Sequence, residues 1–379
     1  MKVQRVLPKL MIVISALLIS CSEGDMPESH SGLIKHPTPG NFLHADLVDN
    51  KVNFQDKNFD NHSISLDTIH SIGINSGDRN YMFGRIFSVF IINQGKMAVL
   101  DEQHPSIRVY DFQSGSYLNS FSSAGRGPGE IMAASDLAGY GSFIAISDRM
   151  QKVEVFELQS DVAELSKTIP VSFTPHKLCL SGDDLFVTGV DYTTFDTVHH
   201  YSVKSGDPIG SFHQAYLSES ALPRIMLSQN RIACNDKTDN IVLVSPYQPY
   251  LYGYSKDGEL LWVTEIEDFT PVKVTEVDDG VSRPRVEKSM NLNGITDIFT
   301  TLISSADSKY VYLQMNRILR KEGEVEHGNI LTFRIDSETG ESEFISNDIP
   351  FIKYENSEFL VTNKNNPYPQ IEIHKNPIR

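Results

Sequence analysis

Apolar residues in this chain alternate with polar ones or form short runs, and stretches with helical spacing are scarce. The apolar runs are rich in Val, Ile, Phe and Tyr and are separated by Gly, Asp, Asn and Ser. Alternation with a period of two and short apolar runs between turn residues are both typical of β-strands. The pattern therefore predicts an all-β protein.

A unit of two strands followed by a polar turn recurs along the chain. The strand pairs are residues 96–101 and 107–111, 143–148 and 153–156, 185–190 and 198–203, 231–235 and 250–254, and 310–314 and 330–335. Their turns contain Gly115, Asp161, Gly206, Gly258 and Gly340, separated by 46, 45, 52 and 82 residues. The first three spacings match the roughly 40–50 residues of a four-stranded propeller blade. The longest spacing indicates an insertion at 267–293, which is rich in charge and proline.

A sixth copy supplies only three strands, at residues 351–354, 358–362 and 370–374. An additional strand precedes the first copy, within residues 62–74. If that strand joins the last blade, both sheet edges are paired and the ring is closed. The sequence therefore predicts a six-bladed β-propeller of four-stranded blades, closed by an N-terminal strand in the C-terminal blade. A β-sandwich pair or a β-helix does not explain a 45-residue period with a truncated last copy.

The N-terminus has the features of an export signal. Lys2, Arg5 and Lys9 precede an apolar run at residues 10–19, which is too short to cross a bilayer core. The following Leu18-Ile19-Ser20-Cys21 resembles the lipobox of bacterial lipoproteins. We therefore expect a signal peptide at 1–20, a lipidated (palmitoylated) Cys21 with a flexible tether at 21–60, and the propeller at 61–379 with an insertion near 267–300. This organisation predicts a lipid anchor in a membrane of the bacterial envelope, on the periplasmic or surface face of the outer membrane.

Composition and net charge limit the kinds of partner that the protein is expected to bind. The chain has 40% hydrophobic and 22% charged residues, which is typical of a globular protein. Its net charge is −16 and becomes more negative once the basic leader is removed. Such a charge argues against binding nucleic acid or an anionic membrane surface. We expect a monomer that contacts the membrane through its lipid and binds an envelope protein, a glycan or a peptide.

Two cysteines remain after Cys21. An exported protein allows one disulfide between Cys179 and Cys234. Both residues lie in apolar, strand-like contexts, however, and buried free thiols are the more common outcome in such contexts. We therefore expect free thiols. The chain has no Cys-x-x-Cys, which excludes zinc and thiol-redox motifs of that type.

The hexapeptide at residues 125–130 is a recognisable motif. Its Gly-Arg-Gly-Pro-Gly-Glu sequence resembles a loop of the six-bladed, TolB-like propeller lipoproteins of Bacteroidota, and the resemblance covers residues 60–376. NHL-type propellers, TolB and lactonase-like calcium enzymes are more distant relatives. The candidate binding loop comprises Gly125, Arg126, Gly127, Gly129 and Glu130, whose exposed amides could hold an anion. The alternative, which we favour, is a shaped connection between blades in which Arg126 pairs with Glu130 or with a carbonyl.

Carboxylates offer a candidate metal site. Hydrolytic propellers of the lactonase type hold a central calcium through acidic and amide side chains. Asp101, Asp148 and Asp236 each lie near the end of the second strand of their copy and are expected on one face of the ring, with Asn316 and Asn363 nearby in the fifth and sixth copies. Acidic residues at strand ends more often cap turns. We therefore favour a binding or scaffold module without catalytic activity. The alternative is a calcium-dependent hydrolase or lyase with its site in the channel.

Overall fold

The structure, a computed structural model, describes residues 47–52, 62–92, 95–104, 106–159, 162–216, 218, 221–277 and 285–378. The predicted signal peptide, Cys21 and most of the predicted tether lie outside these ranges. The described part is built almost entirely of β-strands. Two of them precede the repeats, β1 (Asn50–Val52) and β2 (Thr68–Ile72).

The first three repeats form three four-stranded antiparallel sheets, each of which is one blade. Blade 1 contains β3 (Ile86–Ile92), β4 (Lys96–Asp101), β5 (Ile107–Asp111) and β6 (Tyr117–Phe121). A two-stranded parallel ladder of β7 (Ser123–Ala124) and β8 (Glu130–Ile131) follows it. Blade 2 contains β9 (Ala134–Tyr140), β10 (Phe143–Asp148), β11 (Lys152–Gln159) and β12 (Val162–Pro170). Blade 3 contains β13 (Leu178–Ser181), β14 (Asp184–Thr188), β15 (Asp196–Ser202) and β16 (Pro208–Gln214).

The second half repeats the arrangement. Helix α1 (Ala221–Leu227) leads into blade 4, which contains β17 (Arg231–Asn235), β18 (Asn240–Val244), β19 (Tyr250–Ser255) and β20 (Leu260–Ile266). The hairpin of β21 (Lys273–Val277) and β22 (Arg285–Ser289) lies within the segment expected as an insertion. Blade 5 contains β23 (Gly294–Ser304), β24 (Tyr310–Lys321), β25 (Glu324–Asp336) and β26 (Ser342–Ser346). Blade 6 contains β27 (Phe351–Glu355), β28 (Phe359–Lys364) and β29 (Gln370–Lys375). No helix in the described ranges is long and apolar enough to cross a membrane.

The N-terminal strand β2 completes blade 6. It pairs antiparallel with β29, so that Ile72 lies opposite Ile371, and the backbone amide of Lys375 donates to the carbonyl of Asp67. The sheet order is therefore β27-β28-β29-β2, with the donated strand outermost. This arrangement confirms the predicted all-β six-bladed propeller and its mode of closure.

Adjacent blades are held together by apolar cores. The innermost strands β3, β9, β13, β17, β23 and β27 contact one another in that order, and β27 contacts β3 again. Six clusters of buried apolar side chains lie in the described residues, one between each pair of neighbouring blades. Because a single four-stranded blade cannot bury both faces alone, each blade depends on its two neighbours.

The turn glycines that reveal the repeat also fit between blades. Gly115 and Gly340 have φ values of 71° and 75°, in the left-handed region that favours glycine. A Cβ on Gly115 would lie 3.0 Å from Ile72 of the donated strand, and one on Gly340 would lie 2.4 Å from Trp262 of blade 4. Each turn therefore packs against the outermost strand of the preceding blade, and β2 provides that surface for blade 1.

Two expectations are corrected by the structure. Residues 50–52, which were expected to belong to a flexible tether, form β1 and pair in parallel with β20, and Val52 is buried. The expectation of free thiols is also wrong, because Cys179 and Cys234 form a disulfide with their Cα atoms 5.6 Å apart. The two cysteines lie on β13 and β17, which are 55 residues apart in sequence but adjacent in the ring. The disulfide links the inner strands of blades 3 and 4.

Ring closure by β2 can be tested with a matched pair of substitutions. Ile72 is 2% exposed and packs in the core between blades 6 and 1, whereas Ile69 on the same strand is 47% exposed. Ile72→Asp buries an unpaired carboxylate and should cost about 3 kcal/mol or more. Ile69→Asp should leave the free energy of unfolding nearly unchanged. Chemical denaturation of both variants measures the difference, and equal effects would contradict a closing role for β2.

Candidate functional site

The inner strands of the six blades surround a central channel. Its volume is about 780 Å³, within the range of roughly 300–1,000 Å³ that small-molecule sites occupy. All six blades contribute to its wall. The apolar cores between the blades hold the strands that line the channel in place, so the channel is a preformed feature of the ring.

One level of the channel carries a belt of polar side chains, one from each of five blades. We call this set the channel belt: Ser88 on β3, Asp136 on β9, Lys177 just before β13, Arg231 on β17 and Lys353 on β27. Blade 5 contributes the main-chain carbonyl of Phe299, which accepts a hydrogen bond from Nε of Arg231. On β27, Ile352 packs in the core between blades 5 and 6. Its neighbour Lys353 points to the other face of the strand, as period-two alternation requires.

The carboxylate of the belt is fully engaged by its neighbours. Asp136 accepts hydrogen bonds from the Ser88 hydroxyl, from Nζ of Lys177 at 2.9 Å and from the main-chain amide of Leu178 at 3.1 Å. Lys177 and Asp136 thus form a neutral pair that ties blade 2 to blade 3. The remaining two cations of the belt receive no comparable compensation.

Arg231 and Lys353 are those two cations. Beyond the 3.0 Å bond from Arg231 Nε to Phe299, no described residue pairs with either Nη group of the guanidinium. Lys353 donates from Nζ to the carbonyl of Phe87 at 2.8 Å, and no described carboxylate pairs with it. Burial lowers the pKa of Lys353 to about 7, assisted by the positive charge of Lys177 and opposed by Asp136. Burial also lowers the pKa of Arg231 to about 10. At pH 7 the Arg231 guanidinium is therefore charged and the Lys353 amine is about half protonated, and Asp136 opposes the lowered pKa of both groups without pairing with either.

Further basic side chains lie at the same end of the channel as Arg231 and Lys353. Arg85 and Arg149 are exposed at the end where the inner strands begin, and both line the channel. Arg85 is 3.6 Å from Glu102, a contact between two exposed groups that is screened by solvent. His176 lies beside Lys177, and burial lowers its pKa to about 4, so the imidazole is neutral at pH 7. This end of the channel therefore carries positive charge, although the net charge of the whole chain is −16.

Two amide side chains in the channel wall have unused acceptors. Asn316 Oδ1 and Asn363 Oδ1 are buried and have no hydrogen-bond partner among the described residues. Asn316 lies opposite Ile298 and Asn363 opposite Phe351, both in the first half of their inner strands. They therefore lie on the same side of the channel as the belt. A buried acceptor without a partner costs about 1–3 kcal/mol unless a ligand or water supplies a donor.

The three carboxylates predicted as metal ligands do not converge. Asp101 accepts from the main-chain amides of Gly84 and Arg85 and from Arg108. Asp148 accepts from two main-chain amides just before β9 and from the amide of Met150 in the turn after β10. Each thus joins the end of the second strand of its blade to the start of the first. Asp236 follows β17, an innermost strand, and lies at the opposite end of the ring. Among the described residues, no group of three or more His, Cys, Asp and Glu side chains is placed to hold a metal ion.

The placement of Asp236 corrects the expected equivalence of the three carboxylates. In the fourth copy, residues 231–235 resemble the second strand of the earlier copies, but they form the first strand of blade 4. This one-strand shift moves Asp236 to the other face of the propeller. Of the three carboxylates, Asp236 alone is among the described residues that line the channel.

The glycine-rich loop lies in the connection between blades 1 and 2. The Glu130 carboxylate accepts a hydrogen bond from the Gly127 amide at 2.8 Å, so the loop binds its own carboxylate. Lys152 donates to the carbonyls of Gly127 and Glu130 from beneath the loop. A Cβ on Gly125 would lie 1.9 Å from Glu130 Oε2, which explains the glycine at that position. Arg126 is exposed, and its expected pairing with Glu130 is absent among the described contacts. The loop does not line the channel.

The belt cations were not identified from the sequence. Their signal is weak because a charged residue beside a strand is usually on a solvated face. Lys353 is the most visible case, since it interrupts the apolar run Phe351-Ile352-Lys353-Tyr354. Only the closed ring shows that this lysine, Lys177 and Arg231 face one channel.

Fold and site together define a six-bladed β-propeller with a cationic central channel. The sequence profile of the DUF5128 family, described as a 6-bladed beta-propeller, matches residues 44–283, and the chain belongs to that family. The matched segment covers the closing strand β2 and blades 1–4, and the structure adds blades 5 and 6. No curated protein matches the chain.

Two solved structures show the same fold. A Bacteroides fragilis protein described as exported is 11% identical, covers 86% of this chain and 100% of its own, and superposes with a TM-score of 0.52. A member of the DUF4221 family from Bacteroides vulgatus is 10% identical, covers 83% of this chain and 99% of its own, and has a TM-score of 0.50. At these identities the likeness supports the fold alone.

The uncompensated charge of Lys353 predicts a pH-dependent change in stability. Because its pKa is lowered to about 7 in the folded protein, the unfolded chain binds more protons between about pH 7 and pH 10.5. The cost of the buried charge is therefore complete below pH 7 and disappears as the pH rises through that window. Lys353→Met should raise the thermal midpoint at pH 6 by roughly 5 °C or more, and the gain should shrink towards pH 10.

Lys204, which pairs with Asp183 on the exposed side of blade 3, provides the control for this experiment. Lys204→Met should leave the midpoint close to that of the unmodified protein at both pH values. A Lys353→Met variant that is less stable at pH 6, or whose gain is independent of pH, would show that Lys353 is compensated in the folded protein.

Proposed function

We propose that this protein is a ligand-binding module, anchored by a lipid on Cys21 in the bacterial envelope, whose site is the central channel. The observation that carries the proposal is a set of incompletely satisfied polar groups in the channel wall. Among the described residues, the half-buried Arg231 and Lys353 have no carboxylate partner, and the buried oxygens Asn316 Oδ1 and Asn363 Oδ1 have no hydrogen-bond partner. Folded proteins pair such groups almost everywhere else, because leaving them unpaired is costly. Their concentration in one preformed cavity indicates that a ligand completes them.

The construction of the channel suits binding. Much of the wall is formed by inner strands that are packed between apolar cores, and the Cys179–Cys234 disulfide joins two of those strands. A rigid wall reduces the conformational entropy that a ligand must overcome on binding. Binding is favoured over calcium-dependent catalysis because the Asp101 and Asp148 carboxylates are already occupied by main-chain amides.

The location in the envelope rests on the leader and on related proteins. The basic start, the short apolar run and Leu18-Ile19-Ser20-Cys21 support a lipoprotein signal, and two lipid chains or more would hold the protein at a membrane stably. The similar protein of Bacteroides fragilis is described as exported, and the Gly-Arg-Gly-Pro-Gly-Glu motif resembles TolB-like lipoproteins of Bacteroidota. An anchored propeller presents its channel to solutes of the compartment.

The use of the channel as a binding site can be tested by narrowing it without changing its charge. Thr300 lines the channel next to Phe299, at the level of the belt, and Thr300→Trp places a large side chain there. A thermal-shift panel of oligosaccharides, peptides and organic acids should give at least one compound that stabilises the unmodified protein. That stabilisation should be lost in Thr300→Trp.

Ile209 provides the matched control, since it is 57% exposed on β16, the outermost strand of blade 3. Ile209→Trp adds a side chain of the same size outside the channel and should retain the response. A ligand that stabilises Thr300→Trp as strongly as the unmodified protein would place its site elsewhere on the propeller. The absence of any stabilising compound would argue for a scaffold that contacts proteins.

A further inference from the structure

We propose that Arg231 and Lys353 form an anion-binding centre in the channel, for a small organic anion whose hydroxyl groups donate hydrogen bonds to Asn316 and Asn363. This inference rests on the proposed function and specifies the chemical class of its ligand. It goes beyond the candidate sites read from the sequence, since the carboxylates and the glycine-rich loop have no part in it.

The first step of the argument is charge. The belt contains three cations and one carboxylate, and Asp136 is shared by Lys177, Ser88 and a main-chain amide. Arg231 and Lys353, both half-buried in the channel wall, therefore remain without a carboxylate partner among the described residues. Removing a cation from water costs several kcal/mol unless an opposite charge is nearby. An anion bound between Arg231 and Lys353 would supply that charge.

The second step is the geometry of the donors. The bond from Nε to the Phe299 carbonyl anchors the Arg231 guanidinium on one edge and leaves both Nη groups available. Two parallel N–H donors on a planar group match the two oxygens of a carboxylate or sulfate. Lys353 is likewise held by one hydrogen bond, which it donates to the Phe87 carbonyl of the neighbouring blade 1. When protonated, its amine has two more protons to donate. The centre is thus oriented before the ligand arrives.

The third step concerns the rest of the ligand. The acceptors Asn316 Oδ1 and Asn363 Oδ1 require hydrogen-bond donors, which a simple inorganic anion does not offer. Asn363 is 4% exposed, so a ligand must enter the channel to reach it. Hydroxyl groups next to the anionic group would satisfy these acceptors. The wall therefore favours a hydroxylated organic anion such as a sugar acid over an inorganic ion.

Long-range electrostatics favours the same class. The chain as a whole is strongly acidic and repels anions, but the exposed Arg85 and Arg149 lie at the entrance on the side of the belt. Charges of one sign around a cleft raise the local concentration of the opposite ion and the rate of association. A cationic entrance on an acidic protein directs anions to this end of the channel.

The test compares D-glucuronate with D-glucose, which differ only in the carboxylate that replaces the terminal CH2OH, and uses sodium sulfate as a simple anion. Ionic strength is held constant with sodium chloride, because surface charges respond to salt. Glucuronate at millimolar concentration should raise the thermal midpoint of the unmodified protein at pH 6. Glucose should have no effect, and sulfate should have a smaller effect than glucuronate.

The variants assign the effect to the centre. Lys353→Met and Arg231→Met should each weaken glucuronate binding at least tenfold in isothermal titration calorimetry, and Lys204→Met should bind as the unmodified protein does. Lys353→Met is expected to fold more stably without ligand, so its loss of response cannot be attributed to unfolding.

Three results would overturn the inference. The first is equal stabilisation by glucose and glucuronate, which would leave a channel that binds neutral sugars and so preserve the proposed function. The second is a full response to glucuronate in both Lys353→Met and Arg231→Met. The third is the absence of any response to glucuronate and to sulfate in the unmodified protein.

Discussion

The pairing of β2 with β29 is the interaction on which the structure depends. A propeller blade buries its faces only against two neighbours, so a ring without β2 would expose two apolar surfaces and the edge of β29. The donated strand removes all of these at once, since Ile72 enters the core between blades 6 and 1 and the turn at Gly115 packs against it. The contact joins β2 to the last blade, so the six cores form one continuous ring.

Closure also determines what the centre of the molecule can do. The six inner strands run in the same direction around the axis, and side chains at equivalent heights meet across the channel. Polar residues that would be ordinary at the end of an isolated strand become a belt of three cations and one carboxylate. The apolar cores hold these groups in place, so the protein bears the cost of unpaired cations instead of relaxing to pair them. Such a cost is typical of binding sites.

The sequence was informative about the fold and much less so about the site. Turn glycines such as Gly115 and Gly340 repeat because two constraints act on them, a positive φ and contact with the preceding blade. A doubly constrained residue gives a clear period, from which the blades and the missing strand follow. Lys353 and Arg231 have no such repeat, because the five blades that contribute a side chain to the belt do not place the same residue at the same strand position.

The errors have a common physical origin. Asp236 was assigned to the wrong face because an innermost strand resembles a second strand in composition, and one strand reverses the direction of the chain. Cys179 and Cys234 were expected to be free because both lie in apolar, strand-like contexts, and nothing in those contexts shows that the two residues, 55 apart in sequence, face each other across neighbouring blades. Contacts between blades are set by the ring, and no local pattern reports them.

The most direct measurement is a crystal structure of the protein soaked in selenate, with anomalous diffraction recorded at the selenium edge. The account predicts an anomalous peak within hydrogen-bond reach of the Arg231 Nη groups and Lys353 Nζ, with the ring and the disulfide unchanged. Anomalous peaks confined to surface lysines and arginines, with the channel occupied by water alone, would contradict it.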